Sequence, residues 1–213
     1  GGYIAPPASF LHGLRKICDQ HGILLILDEI QSGFGRTGKW FALEHYGLKP
    51  DIMTVAKGLA SGLPLSGVFS SLELMQHWIP GSHGGTYGGN ALAAAAAVAT
   101  IQAIREDGML QNAQERGQQL VQGLQTLQQN YPSIGDIRGL GLMIGVEFSD
   151  ATGSPDKATA KAVAHACLDR RMLLLTCGPW DNTIRWIPPL MVSAEEIEQG
   201  LQIFGEALQE VLG

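Results

Sequence analysis

The 213-residue sequence predicts an α/β fold, and three observations carry that prediction. A helical pattern is followed directly by a strand that is apolar on both faces, as expected inside a helix-covered parallel sheet. Two more short apolar strands follow, so strands and helices alternate along the chain. Hydrophobic residues make up 45% of the sequence, enough to close a core of ordinary domain size.

Leu11, Leu14, Ile17 and Cys18 recur at helical spacing and predict a helix over about residues 8–20. After His21-Gly22 the run Ile23-Leu24-Leu25-Ile26-Leu27 reads as the first buried strand, ending in Asp28-Glu29. Ile52–Val55 is the second, and Lys57 stands just beyond it; a third over about residues 65–70 follows the glycine-rich loop Gly58–Gly62. Asn90 caps a long alanine-rich helix that pauses at Gly108 and resumes with Met109, Leu110, Ala113, Leu120, Leu124 and Leu127. The texture changes after Pro132. Ile137–Phe148 reads as a strand pair, Lys157–Arg170 as a helix, and Met172–Thr176 and Thr183–Ile187 as strands. Ser193-Ala194-Glu195-Glu196 is a capping box that opens the last helix. A domain boundary is expected in the long helix near residue 104, giving domains 1–104 and 105–213.

Composition narrows the function. A net charge of −6 argues against a nucleic-acid binder, which shows a basic face. The 28 glycines have no three-residue period, which excludes collagen and points to glycine-rich loops. Three cysteines, Cys18, Cys167 and Cys177, are odd in number and scattered, so a reducing cytoplasm is expected rather than a disulfide scaffold. No apolar run is long enough for a membrane helix, and with no basic n-region in the first residues a signal peptide is not expected. The chain begins Gly1-Gly2 without a methionine, so an upstream segment is expected to be missing.

Three constellations could carry chemistry. Gly33-Phe34-Gly35-Arg36-Thr37-Gly38-Lys39 fits seven positions of a P-loop, but Trp40 stands where Ser or Thr must hold Mg²⁺, and the acidic strand end precedes the loop. A turn-rich surface loop is the better reading. Cys18 and His21 are spaced like a zinc pair, but no second pair exists, and they fit a helix flank and end. The third joins Asp28, at the carboxyl end of one apolar strand, to Lys57, at the end of the next. A lysine held at a dry strand end becomes a nucleophilic amine more easily, and an ionised acid can hold a protonated pyridine nitrogen. Together they are the two anchors required by pyridoxal phosphate, although each has an ordinary reading as a turn or surface residue.

Four strings taken together resemble the class III (omega-type) aminotransferases. They are Leu25-Ile26-Leu27-Asp28-Glu29-Ile30-Gln31-Ser32-Gly33-Phe34-Gly35-Arg36-Thr37-Gly38, Pro50-Asp51-Ile52-Met53-Thr54-Val55-Ala56-Lys57-Gly58-Leu59, Gly85-Thr86-Tyr87-Gly88-Gly89-Asn90 and Ile184-Arg185-Trp186-Ile187-Pro188-Pro189-Leu190. They follow in the family's order and run almost end to end. The resemblance implies an aspartate-aminotransferase-like (fold type I) transferase that uses pyridoxal 5'-phosphate. Residues 1–104 would then be the C-terminal part of the large domain, and 105–213 an α+β small domain.

At matching positions it implies that Asp28 pairs with the pyridine nitrogen, Gln31 bonds the ring's phenolic oxygen and Ile30 packs on the ring face. Lys57 would form the internal aldimine and move the proton between substrate and cofactor carbons. Thr86 would bind the phosphate of a neighbouring subunit's cofactor, which implies a homodimer. Arg185 would grip a substrate carboxylate. His45 and His83 receive no role from the family and read as structural. The implied reaction is ping-pong transfer of an amino group to a 2-oxo acid such as 2-oxoglutarate. Leu174-Leu175-Thr176-Cys177-Gly178, followed by the Ile184–Leu190 string, most resembles the 4-aminobutyrate subgroup, with acetylornithine or ornithine aminotransferases and aminomutases or decarboxylases of the same family as alternatives. The family chain is about twice as long, and its first half supplies the phosphate cup and the stacking aromatic. These 213 residues alone are therefore expected to bind cofactor poorly and turn over little.

Overall fold

Helix α1 (Ala8–His21) forms where the spacing places it and ends at Gly22, whose left-handed φ of 65° lets the amides of Gly22 and Ile23 both reach the Cys18 carbonyl. The computed structural model describes residues 1–213 as two compact units, Pro6–Leu110 and a unit that joins Gly1–Ala5 to Gln111–Gly213.

The first unit holds a three-stranded sheet in the order β1 (Ile26–Asp28), β2 (Ile52–Val55) and β3 (Gly67–Ser70). β1 and β2 are parallel, with Asp28 opposite Thr54. β3 runs antiparallel to β2, because the short stretch between them holds only a 3₁₀ turn, Lys57–Ala60, and no crossover helix. The expectation of a helix-covered first strand needs correction. β1 is shorter than the apolar run and lies at the edge of the three-stranded sheet; Leu27 is partly buried, but Ile23, Leu24 and Ile26 are about half exposed. Short helix α2 (Leu72–Met75) is capped by the Ser71 hydroxyl, and α3 (Ala91–Glu106) by the Asn90 side chain, which accepts the Ala93 amide at 3.0 Å. Gly108, with φ 66°, breaks the helix before α4 (Met109–Asn130) resumes.

The second unit is an antiparallel sheet in the order β4 (Ile134–Leu140), β5 (Met143–Phe148), β7 (Thr183–Trp186) and β6 (Leu175–Cys177), packed on α4, α5 (Lys157–Asp169) and α6 (Ala194–Leu212). Its core is fully dry around Leu120, Leu124, Phe148, Ile184 and Phe204. The Ser193 capping box that opens α6 is formed in both directions. Gly117 faces the β4–β5 turn so closely that a Cβ there would lie 2.2 Å from the Gly141 carbonyl oxygen. Arg138 on β4 ties the leading residues to this unit: its Nε donates to the Gly2 carbonyl at 2.9 Å, and its other nitrogens pair with Asp136 and Glu147. No helix is long and apolar enough to cross a membrane.

All three cysteines are free, and burial on α5 pushes the Cys167 thiol up to about 12. Alkylation at pH 8 followed by mass spectrometry should leave Cys167 unmodified in the folded protein and modify it only after denaturant is added. Rapid labelling of Cys167 in the folded state would contradict the packing of α5 described here.

Candidate active site

Because β1 and β2 are parallel and in register, their carboxyl ends emerge at one sheet edge, the edge where open α/β sheets place ligands. Asp28 closes β1 there, exposed. Its Oδ1 accepts the Ile30 amide at 2.9 Å and the Thr54 hydroxyl at 3.3 Å, so a turn and a neighbouring strand both hold it. Lys57 leaves β2 through Ala56, takes a left-handed φ of 44° and opens the 3₁₀ turn. For a residue with a Cβ, that backbone costs on the order of 1–2 kcal/mol, strain of the kind that collects at functional positions. The Lys57 ammonium donates to the Gln31 amide oxygen at 3.2 Å, which closes the group.

The dry strand end expected for Lys57 is not what the structure shows. Val55, two residues earlier, is buried, but the lysine is exposed, because nothing in the first unit covers that end of the sheet. Asp28, Ile30, Gln31 and Lys57 are thus brought together at the edge. Thr86 is not: it lies in an exposed turn ahead of α3, in which the Gly88 amide donates to the Gly85 carbonyl, and it shares no hydrogen bond with the Lys57 group. Arg185 belongs to the second unit, on β7 between Gly145 of β5 and Leu175 of β6. It lines an apolar cavity of about 400 Å³ with Leu174, Trp186, Pro188, Glu196 and Ile197, and both its Nε and Trp186 Nε1 are buried without an acceptor.

Sequence reasoning missed Glu29. It is the only buried acid, 3% exposed, and its carboxylate accepts the Ser32 hydroxyl and the amides of Ala42 (3.1 Å) and Leu43 (2.8 Å). Its own amide donates to the Thr54 carbonyl, and its carbonyl accepts the Gly33 amide. Gly33 must be glycine, because a Cβ would lie 2.8 Å from that carbonyl and 3.2 Å from the Phe41 ring. The signal was the strand's two-residue period, which sends Glu29 inward where Asp28 points out.

The P-loop reading fails on geometry. Lys39 donates to the Glu44 carbonyl at 3.2 Å, and behind the loop comes a four-residue 3₁₀ turn, Ala42–His45, not the α-helix a phosphate cradle needs. Cys18 is buried on α1 and His21 lies at its end. His83 stacks on Trp78 with ring centroids 5.6 Å apart. His45 Nε2 stands 3.1 Å from both the carbonyl and the hydroxyl oxygen of Thr37.

Comparison with known proteins assigns the family. The model of aminotransferase class III matches residues 1–208, and the chain belongs to that family. It is 45% identical over 213 residues to the 4-aminobutyrate aminotransferase GabT of Escherichia coli, and 42% identical over 212 residues to the 5-aminovalerate aminotransferase DavT of Pseudomonas putida. Each alignment covers 99% of this chain and 50% of the relative, so the chain spans about half the length of the curated relatives it matches. A crystal structure of a transaminase from the marine bacterium Virgibacillus superposes with a TM-score of 0.92 at 33% identity, over 99% of this chain and 50% of that one. The fold is therefore that of the fold type I transaminases.

His45 supplies a pH test of the loop. Burial, and then the nearby Lys39 charge, hold its imidazole below the ordinary value of 6.5. The folded state thus prefers neutral His45, and that contribution is complete above about pH 6.5 and lost as the pH falls through the lower folded value. Denaturant unfolding of the protein at pH 8 and pH 5 should show this loss. His45→Gln should shrink the difference between the two pH values, and an undiminished difference would remove His45 as its source.

Proposed function

We propose that the chain is the lysine-bearing part of a pyridoxal phosphate-dependent aminotransferase. It would transfer the amino group of an omega-amino acid such as 4-aminobutyrate to a 2-oxo acid such as 2-oxoglutarate. The observation that carries the reading is the Lys57–Gln31 hydrogen bond of 3.2 Å at the sheet edge where Asp28 also emerges.

The donor set fits the cofactor. An exposed primary amine and an exposed carboxylate leave the ends of adjacent parallel strands, as a small ring with an aldehyde and a basic nitrogen requires. When bound, the cofactor supplies the carbonyl that takes up nitrogen and a ring that withdraws electrons. Asp28 would accept the N–H of the protonated ring nitrogen, and its bond from Thr54 keeps the carboxylate aimed along the strand end. Gln31 would hold the phenolic oxygen, and Ile30 would pack on the ring face. Lys57 Nζ would bind the cofactor and, once released by substrate, carry the proton between the two carbons.

Thr86 would hold a phosphate across a homodimer interface, a role in keeping with its exposed turn. Arg185, with an unspent buried Nε, would take a substrate carboxylate. We place the passage from large to small domain near residue 104, with 1–104 in the large domain and 105–213 in the small one, and, from the three scattered cysteines, the protein in the cytoplasm.

In protein made from the complete reading frame, Lys57→Ala should abolish both the visible absorption of bound cofactor and amino transfer. The unsubstituted protein should work faster on 4-aminobutyrate than on acetylornithine with 2-oxoglutarate as acceptor. An unchanged spectrum in the variant would end the reading, and a preference for acetylornithine would overturn the donor assignment.

A further inference from the structure

We infer that Glu29 is a positioning residue for the cofactor-binding turn, acting through Asp28 and Gln31 on either side of it; this rests on the reading above. The residue is buried. Its bonds come from the Ser32 hydroxyl and from the amides of Ala42 and Leu43. Those amides open the 3₁₀ turn Ala42–His45, so one side chain clamps the far end of the loop against the end of β1.

The backbone of the same residue is fastened too. The Glu29 amide donates to Thr54, whose hydroxyl bonds Asp28, and the Glu29 carbonyl holds Gly33. Residues 28–33 are therefore gripped from β2 on one side and from residues 42–43 on the other. Asp28 and Gln31, the two groups proposed to meet the ring, project from that gripped segment. A carboxylate suits the position because all three of its partners are donors. An amide in its place would turn an NH₂ group toward donors and leave at least one of them unpaired inside the loop.

The test is Glu29→Gln in the complete protein, measured by cofactor dissociation constant and by the pH midpoint of the bound cofactor's visible absorption band. The positioning role predicts cofactor binding weakened about tenfold and a displaced midpoint. Ser32→Ala, which removes one donor and leaves the carboxylate in place, should move both measurements in the same direction by less, and it serves if Glu29→Gln does not fold. If melting temperatures fall in either variant while affinity and midpoint stay at the unsubstituted values, Glu29 is a structural residue only and the inference is overturned. If the unsubstituted protein binds no cofactor, the proposed function itself fails and this inference goes with it.

Discussion

Parallel pairing of β1 with β2 places Asp28 opposite Thr54, and the chemistry proposed for the first unit depends on that register. Parallel strands deliver their carboxyl ends to the same edge, so whatever follows Asp28 and whatever follows Val55 must meet there. Slipping the pairing by one residue would turn Asp28 inward and Glu29 out, because alternate residues on a strand face opposite sides. A buried aspartate would then lack the reach to the Ala42 and Leu43 amides, and an exposed glutamate would stand where the short, strand-bound carboxylate now does. The twenty-odd residues between the strands form no α-helix, so their shape has to come from side chains and tight turns, which explains the dense bonding around Glu29 and Gly33.

Local signals in the sequence led to most of the helices and strands, though not to the short α2 or the 3₁₀ turn Ala42–His45. Capping residues worked because a cap is a contact between neighbours: Asn90 and the Ser193–Glu196 box sit where their side chains meet the helix amides. Strand β2 was legible from its apolar run, which ends just before Lys57. The first strand was not, because an apolar run records what a residue is suited to touch and not whether anything in the same unit touches it. The lysine was legible as a site candidate from its place at a strand end, while its exposure and left-handed backbone depend on turns that composition does not encode. The Asp28–Thr54 and Lys57–Gln31 bonds join residues 26 apart in the chain, beyond any local rule.

The two units differ in how they hold together. The second has a dry two-layer core in which Phe148, Phe204, Leu120 and Leu124 are fully enclosed, and a strap, Gly1–Ala5, bonded to Arg138. The first leaves Ile26, Val68 and Phe69 on its small sheet, and Leu92 and Val98 on α3, facing water. Apolar area left in water contributes nothing to folding, and contiguous patches of it mark surfaces made to be covered.

On the proposed reading, adjacent acids at the end of β1 divide two tasks that one residue could not combine. A carboxylate that shapes a loop is taken up by the protein: Glu29 is buried and accepts three protein donors, which leaves it out of a ligand's reach. A carboxylate that holds a ligand needs acceptor capacity left over. Asp28 has it, because both of its bonds fall on Oδ1. The pleat separates the two, sending one side chain into the unit and the other to its edge, so burial of the first determines where the second points without competing for the same proton. The cost is rigidity. Gly33 is packed against the Glu29 carbonyl and the turn is tied to β2, while the Gln31 side chain and Lys57 are in contact across the open end of the sheet.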